Sequence, residues 1–253
     1  LKPSRIGEAV SSQEEPYSAG SRTSLKSNDP LSPWRTSFVC VCLFAFALLT
    51  ASIAQDLIAH GGGEADTSSK IWLLDVGLEQ SVFTWLSVTT LFFAAFLFFV
   101  CGRAMASYGG RLRWHWYFLA AVFLLLSMDD AISIHEKISE MLESRIDNTG
   151  LLHFAWAAPA GVISLLGLIA FIPFIRSFPP RLAVLLVLSA VVFLGGAVGL
   201  EMVNGSIAEV EGASLRYRML TNVEEGLEVA GVMMLIYALL SYRDQHLPMR
   251  PAA

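Results

Sequence analysis

WHWYFLAAVFLLLSMDDAISIHE, residues 114–136, runs apolar for most of its length and then places Asp129, Asp130, His135 and Glu136 at one end. An apolar run without strict alternation, long enough to cross a hydrocarbon layer about 30 Å thick at roughly 20 residues per crossing, reads as a spanning helix. Backbone donors and acceptors inside that layer must find partners within their own segment, which leaves helix as the expected spanning element. Ionisable groups at the end of such a run cost several kcal/mol unless they are paired, protonated or metal-bound, so they mark a site.

Five further windows have the same character, near 36–59, 80–102, 153–176, 181–203 and 220–242. With 55% hydrophobic and 15% charged residues, the chain as a whole reads as an all-α, polytopic membrane bundle of six transmembrane helices over 36–243. The Ser-, Pro- and charge-rich residues 1–35 are expected to form a disordered cytoplasmic tail, and 244–253 a short second one. The net charge of −5 is unevenly placed. No basic groove with interleaved aromatics is present, which argues against a nucleic-acid partner.

Most basic residues fall on one set of segment ends: Lys2, Arg5, Arg22, Lys26 and Arg35, then Arg103, Arg111 and Arg113, then Arg176 and Arg181, then Arg243 and Arg250. The alternate loops carry Lys70, Lys137, Arg145, Arg216 and Arg218. The positive-inside rule therefore puts both termini in the cytoplasm, with the other three loops facing the periplasm if the membrane is a bacterial inner membrane. Trp34, Trp72, Trp114, Trp116 and Tyr242 read as interfacial anchors, and the phenylalanines from Phe92 to Phe99 as lipid-facing or packing surface. Cys40, Cys42 and Cys101 lie toward the reducing side and imply no external disulfide.

On this topology the outward ends collect Asp56 and His60, Glu79 and Gln80, Asp129 to Glu136, His153, Glu201 and Asn204, and Asn222 to Glu228. At 1.5 Å per residue Asp129 lies roughly 8 Å and Glu228 about 12 Å inside the outer hydrocarbon edge, so the two could meet. Asp129 and Glu136, seven apart, share a face if the helix is continuous, whereas Asp130 and His135 point elsewhere; Asn222, Glu225 and Glu228 share another face, as do Glu201 and Asn204. The expected metal ligands are accordingly Asp129, Glu136, Glu201 and Glu228. His135 serves as a further ligand or base, and Glu225 as a proton acceptor or ligand.

Plainer accounts compete. Glu224 and Glu225 suit the first turn of a helix capped by Thr221 or Asn222. Asp56 and Glu79 suit helix anchoring, and His60 and His153 a solvated interface. Glu201 resists such an account, because a carboxylate in the last turn of a helix opposes its dipole. Gly195 and Gly199 give a G-x-x-x-G spacing, and Gly226, Ala230 and Gly231 line the last helix, which would let backbones approach and bring Glu201 near Glu225 or Glu228. Pro159 and Pro173 predict a kinked fourth helix, Pro179 and Pro180 a tight turn, and the apolar spacing of Ile138, Met141, Leu142 and Ile146 an outward amphipathic extension of the third helix.

Carboxylates with imidazole suit Fe, Mn or Zn. The set differs from the Glu-x-x-His pattern of carboxylate-bridged di-metal bundles, since the last helix carries no histidine beside its glutamates. His-Glu-x-x-His, Gly-x-Ser-x-Gly and phosphate-binding glycine loops are absent. The leading expectation is a divalent-metal site of a membrane enzyme, a hydrolase or oxidoreductase, acting on a lipid or another membrane-accessible substrate. The alternatives are an accessory or scaffold subunit with a membrane-protein partner, and a proton or cation transporter. The almost wholly apolar inner halves of the helices weigh against transport.

Overall fold

The computed structural model describes residues 33–61, 68, 70–107, 112–143 and 149–246. The described residues are helical with no strand. The principal helices are α1 (Pro33–His60), α2 (Val82–Ser107), α3 (Arg113–Ile132), α4 (Ile134–Glu143), α5 (Ala157–Ala170), α6 (Ile172–Ile175), α7 (Pro180–Leu194), α8 (Glu201–Glu211) and α9 (Leu215–His246). A π-helical segment, Gly195–Leu200, joins α7 to α8 without a break. Of the disordered tails expected over 1–35 and 244–253, residues 1–32 and 247–253 lie outside the described residues; 33–35 belong to α1, which begins at Pro33, and 244–246 to α9, which continues to His246.

Among the described residues, four helices are long and apolar enough to cross a membrane: Trp34–His60, Val82–Ala106, Arg113–Ile132 and Pro180–Glu211. Their outward surfaces are apolar, with Leu43 and Phe46 on α1, Phe92 and Phe96 on α2, Leu124 and Leu125 on α3, and Val184 and Val191 on α7 all exposed. Such a surface is the inverse of a water-soluble one and suits hydrocarbon as solvent. The fourth expected window is divided, α5 being 14 residues long. The sixth, α9, is 32 residues long and is not among those four. Its charges are tolerated because it is the hub of the bundle, packed by α1, α2, α7, α8 and the π segment. Val229, Val232, Leu235, Ile236 and Leu239 on α9 are all buried in the core.

Close approach to α9 depends on two glycines. A Cβ on Gly231 would come within 2.6 Å of the Phe193 backbone nitrogen, and one on Gly196 within 2.8 Å of the Glu224 carbonyl oxygen. Gly195 and Gly199, the pair with the expected spacing, contribute no such approach: nothing lies within 4 Å of a Cβ at Gly195, and only Leu194 O at 3.9 Å at Gly199. The π geometry rotates the chain within this stretch, so spacing counted on a regular helix selects the wrong glycines.

Local chemistry moves several expected boundaries. Ser133 adopts the left-handed conformation (φ 52°, ψ 50°) and ends α3, so α4 is a separate helix rather than an extension; residues 144–148 of the expected stalk lie outside the described residues. Pro159 sits in the first turn of α5, where its missing N–H is harmless, and Pro173 follows the interruption at Phe171. Pro180 opens α7 as the tight turn requires. Trp116 is no interfacial anchor: it is 2% exposed, stacked on Tyr242 and edge-on to Phe174. The three cysteines are free.

At the end of the bundle bearing the acids, an ion-pair network fixes the segment between α1 and α2. Asp56 of α1, fully buried, accepts from Lys70 Nζ at 2.6 Å, from Arg218 Nε at 3.2 Å and from Asn222 Nδ2 at 2.7 Å. Asp75 accepts from Lys70 Nζ at 2.5 Å and from Arg218. Two acids and two bases neutralise each other, so this network has a structural role that sequence reading did not assign to Lys70 or Arg218. Burial alone would raise the Asp75 carboxyl, but the hydrogen bonds and charges of Lys70 and Arg218 outweigh it and hold Asp75 below its ordinary value.

Gly231→Ala is expected to destabilise the protein by about 1–3 kcal/mol through overpacking against Phe193, while Gly167→Ala, where a Cβ meets nothing within 4 Å, is neutral or stabilising; thermal unfolding in detergent reads both. Asp75→Asn should cost on the order of 3–5 kcal/mol at neutral pH by leaving buried bases underpaired. Because the folded Asp75 carboxyl is depressed, its contribution is present above the ordinary value of 3.8 and is lost as pH falls through the folded value. The gap between wild type and D75N should therefore narrow on acidification below that range.

Candidate metal centre

Asp129 organises the outer part of the site. Its Oδ1 accepts the backbone N–H of His135 at 2.8 Å, satisfying a donor in the first turn of α4, and its Oδ2 faces His135 Nδ1 at 3.1 Å. A carboxylate only accepts, so the ring's Nδ1 carries the proton, which leaves Nε2 with its lone pair free to bind. The imidazole packs on Trp156 with ring centroids 5.0 Å apart. Burial would lower the His135 pKa, but the hydrogen bond and charge of Asp129 overcome it and raise the value.

Glu79, His135 and Glu136 bring one ligand atom each to within 4.8 Å of one another. Glu79 comes from the short loop before α2, whose first turn is fixed by Ser81 Oγ accepting the Thr84 N–H at 3.1 Å. Partial burial pushes the Glu79 carboxyl up, and the charges of Glu136 and Asp129 act in the same direction, against the nearby Ser133 hydroxyl and the charge of His135. A cation between Glu79 and Glu136 would relieve that repulsion.

Deeper in the bundle, Glu201 accepts from Trp156 Nε1 at 3.3 Å, and Glu224 from Asn204 Nδ2 at 3.1 Å. The Glu201 and Glu224 carboxyl groups are neighbours. Two carboxylates have no donor between them, so a shared proton or a cation would ease their approach. Glu225 and Glu228 lie within electrostatic range of Asp130, Glu79 and Glu201. Asp130 Oδ2 is buried without a hydrogen-bond partner. Among the described residues, no lysine or arginine forms an ion pair with Asp130, Glu201, Glu224, Glu225 or Glu228.

The structure thus divides the expected ligands. Asp129 pairs with His135, and Glu136 is exposed beside Glu79 and His135, whereas Glu201, Glu225 and Glu228 lie in the deeper group. Asp129 and Glu136 do not share one helix face, because Ser133 breaks the helix between them. The same break changes the direction of the chain after Asp130, so the phase argument that turned Asp130 and His135 away from the site does not apply. Capping fails for Glu224 and Glu225: α9 starts at Leu215, so both lie well past its first turn. Glu79 is more central than an anchoring role suggests; its only sequence signal is an acid flanking an apolar helix. His60 is tied to the Asp56 carbonyl oxygen at 2.8 Å, and His153 lies against Phe154, outside the cluster.

A family model described as "Domain of unknown function (DUF8692)" matches residues 41–242, and the chain belongs to that family. Neither a curated protein nor a solved structure matches it.

Asp129→Ala is expected to free the start of α4, at about 0.5–2 kcal/mol, the usual cost of a lost helix cap, whereas Asp129→Asn retains the amide acceptor and most of that energy. Faster hydrogen exchange at the His135 amide in the alanine variant alone checks this.

Proposed function

We propose that this member of the DUF8692 family is a six-span protein of the bacterial inner membrane with both termini in the cytoplasm. Its carboxylate and histidine cluster opens toward the periplasm and binds a divalent ion, Fe, Mn or Zn, as the centre of an enzyme acting on a lipid or another membrane-accessible substrate. The observation that carries the reading is the Glu79, His135 and Glu136 trio, with His135 oriented by Asp129 so that Nε2 remains available. An imidazole held by a carboxylate at one nitrogen is the usual support of a metal ligand at the other.

The donor set fits a borderline cation. It offers carboxylate oxygens and one imidazole, with no thiolate in the group. The unpartnered Asp130 Oδ2 and the neighbouring Glu201 and Glu224 carboxyls favour a cation or a mobile proton deeper in the site. A bound divalent ion would supply Lewis acidity and a water made acidic enough to react near neutral pH. Glu79, His135 and Glu136 would hold the ion, with Glu201 and Glu228 as candidate inner ligands. Asp129 keeps the His135 ring in its binding tautomer. Glu225, within electrostatic range of His135, Asp130 and Glu201, would accept a proton from a group at the centre. Trp156 covers His135 and hydrogen-bonds Glu201, linking the outer and deeper carboxyls.

Elemental analysis of protein purified without chelator should find a bound transition metal that is lost in His135→Ala and Glu79→Ala and reduced in Asp129→Ala and Glu228→Ala. Adding that metal to stripped wild type should raise the unfolding temperature, since ligand at about 100 times Kd adds roughly 2.7 kcal/mol. Wild type that stays metal-free after metal-supplemented purification, with an unfolding temperature indifferent to metal, overturns the proposal.

A further inference from the structure

Beneath the carboxylates the bundle contains an apolar cavity of about 490 Å³. That is within the range of roughly 300–1,000 Å³ found for pockets that bury whole small molecules. α3 forms one wall, α5 to α7 the other, and α9 the floor, with Leu126, Ala160, Gly167, Phe193, Gly231 and Leu235 among its lining. α3 packs on α2, and α5 on the π segment, so a cleft remains between α3 and α5. Phe118 and Ile163, 57% and 69% exposed, flank it on the face that the apolar exterior turns toward lipid.

Water is a poor occupant. The only polar side chains of the lining are Ser164 and Ser189, and Ser189 already donates to the Leu186 carbonyl oxygen at 2.8 Å. A buried water generally needs two to four polar partners. Hydrocarbon, the solvent at the mouth, meets no such cost. Space is open at Gly167, where a Cβ would touch nothing within 4 Å. Along α9 the lining runs from Gly231 to Leu239, about 12 Å at 1.5 Å per residue.

The groove is continuous with the acidic site. Leu126 lies one helical turn from Asp129 and Asp130, and Gly231 one turn from Glu228, so the lining faces of α3 and α9 carry these carboxyls directly beyond them. We propose that the groove receives one acyl chain of an amine-bearing glycerophospholipid, admitted sideways between α3 and α5, with the head-group ammonium toward Asp129, Asp130 and Glu228. This deepens the enzymatic reading and rests on it for the meaning of the polar end; the chain site itself rests on the groove alone.

The test uses the full-length protein in nanodiscs containing phosphatidylethanolamine with a photoactivatable diazirine on one acyl chain. After illumination, peptide mapping should place the label on the lining residues of α3, α5 and α9 several-fold more densely than on the lipid-facing Phe46 and Phe96. Gly167→Phe, at a groove position where the Cβ meets nothing within 4 Å, should reduce that labelling several-fold while leaving metal content unchanged; Ser164→Phe serves if the first variant folds poorly. Labelling no denser in the groove than at Phe46 and Phe96, or unaltered by a folded groove-filling variant, overturns the proposal. So does a stoichiometric polypeptide cross-linked to the same residues in place of lipid. Groove labelling that persists in protein that never binds metal supports the chain site and removes the enzymatic reading, so the two fail separately.

Discussion

Carboxyl groups facing one another without lysine or arginine between them impose the strongest constraint on this bundle. Glu201 and Glu224 are neighbours, and Glu225, Glu228 and Asp130 lie within electrostatic range of one another. Charges removed from water cost several kcal/mol each after relaxation, and mutual repulsion adds to that cost. Such an arrangement persists only if protons or a cation reduce its charge, and only if the helices are held tightly enough that the acids cannot swing out to water. Gly196 and Gly231 provide that tightness by letting the α7 to α8 helix approach α9 to backbone contact on either side of Glu228.

The same end of the bundle holds a second polar centre built on the opposite principle. Asp56, Asp75, Lys70 and Arg218 balance two negative charges with two positive ones, and Asn222 donates to a carboxylate that water cannot reach. That centre requires no ligand. It locks the segment carrying Glu79 to α1 and α9, and so supports the acidic group from one side. Set against this neutralised network, the unneutralised one is poorly explained by helix docking alone, because lysine or arginine at any of several positions would dock the helices with less electrostatic cost.

Helix type and the approximate positions of the apolar segments were legible because hydrocarbon-length runs admit few alternatives. Side-chain direction was less so. A single left-handed residue, Ser133, separates Asp129 from Glu136 and makes Asp129 the cap of α4, yet serine carries no strong signal for that conformation. A π segment between Leu194 and Glu201 changes the phase at which Glu201 meets α9, and its glycines read equally well as a packing motif on a regular helix. The role of α9 was visible only in part. Its acids read as first-turn residues if the helix begins with its apolar stretch, whereas it begins at Leu215, where Arg216 and Arg218 still face a polar environment.

These two irregularities bear on chemistry through position. A continuous α3 would carry His135 away along its axis; the turn at Ser133 brings the ring back over Asp129 and against Trp156, whose indole N–H reaches Glu201. A regular helix through 195–200 would present Glu201 on another face, without that indole and without Glu224. π-helical insertions cost hydrogen-bond geometry and occur disproportionately where a side chain must be aimed. Here both departures from regular helix turn acidic or imidazole groups toward one end of the bundle, beyond a groove whose walls are hydrocarbon. That juxtaposition of a polar end and an apolar groove is what the proposed lipid site rests on.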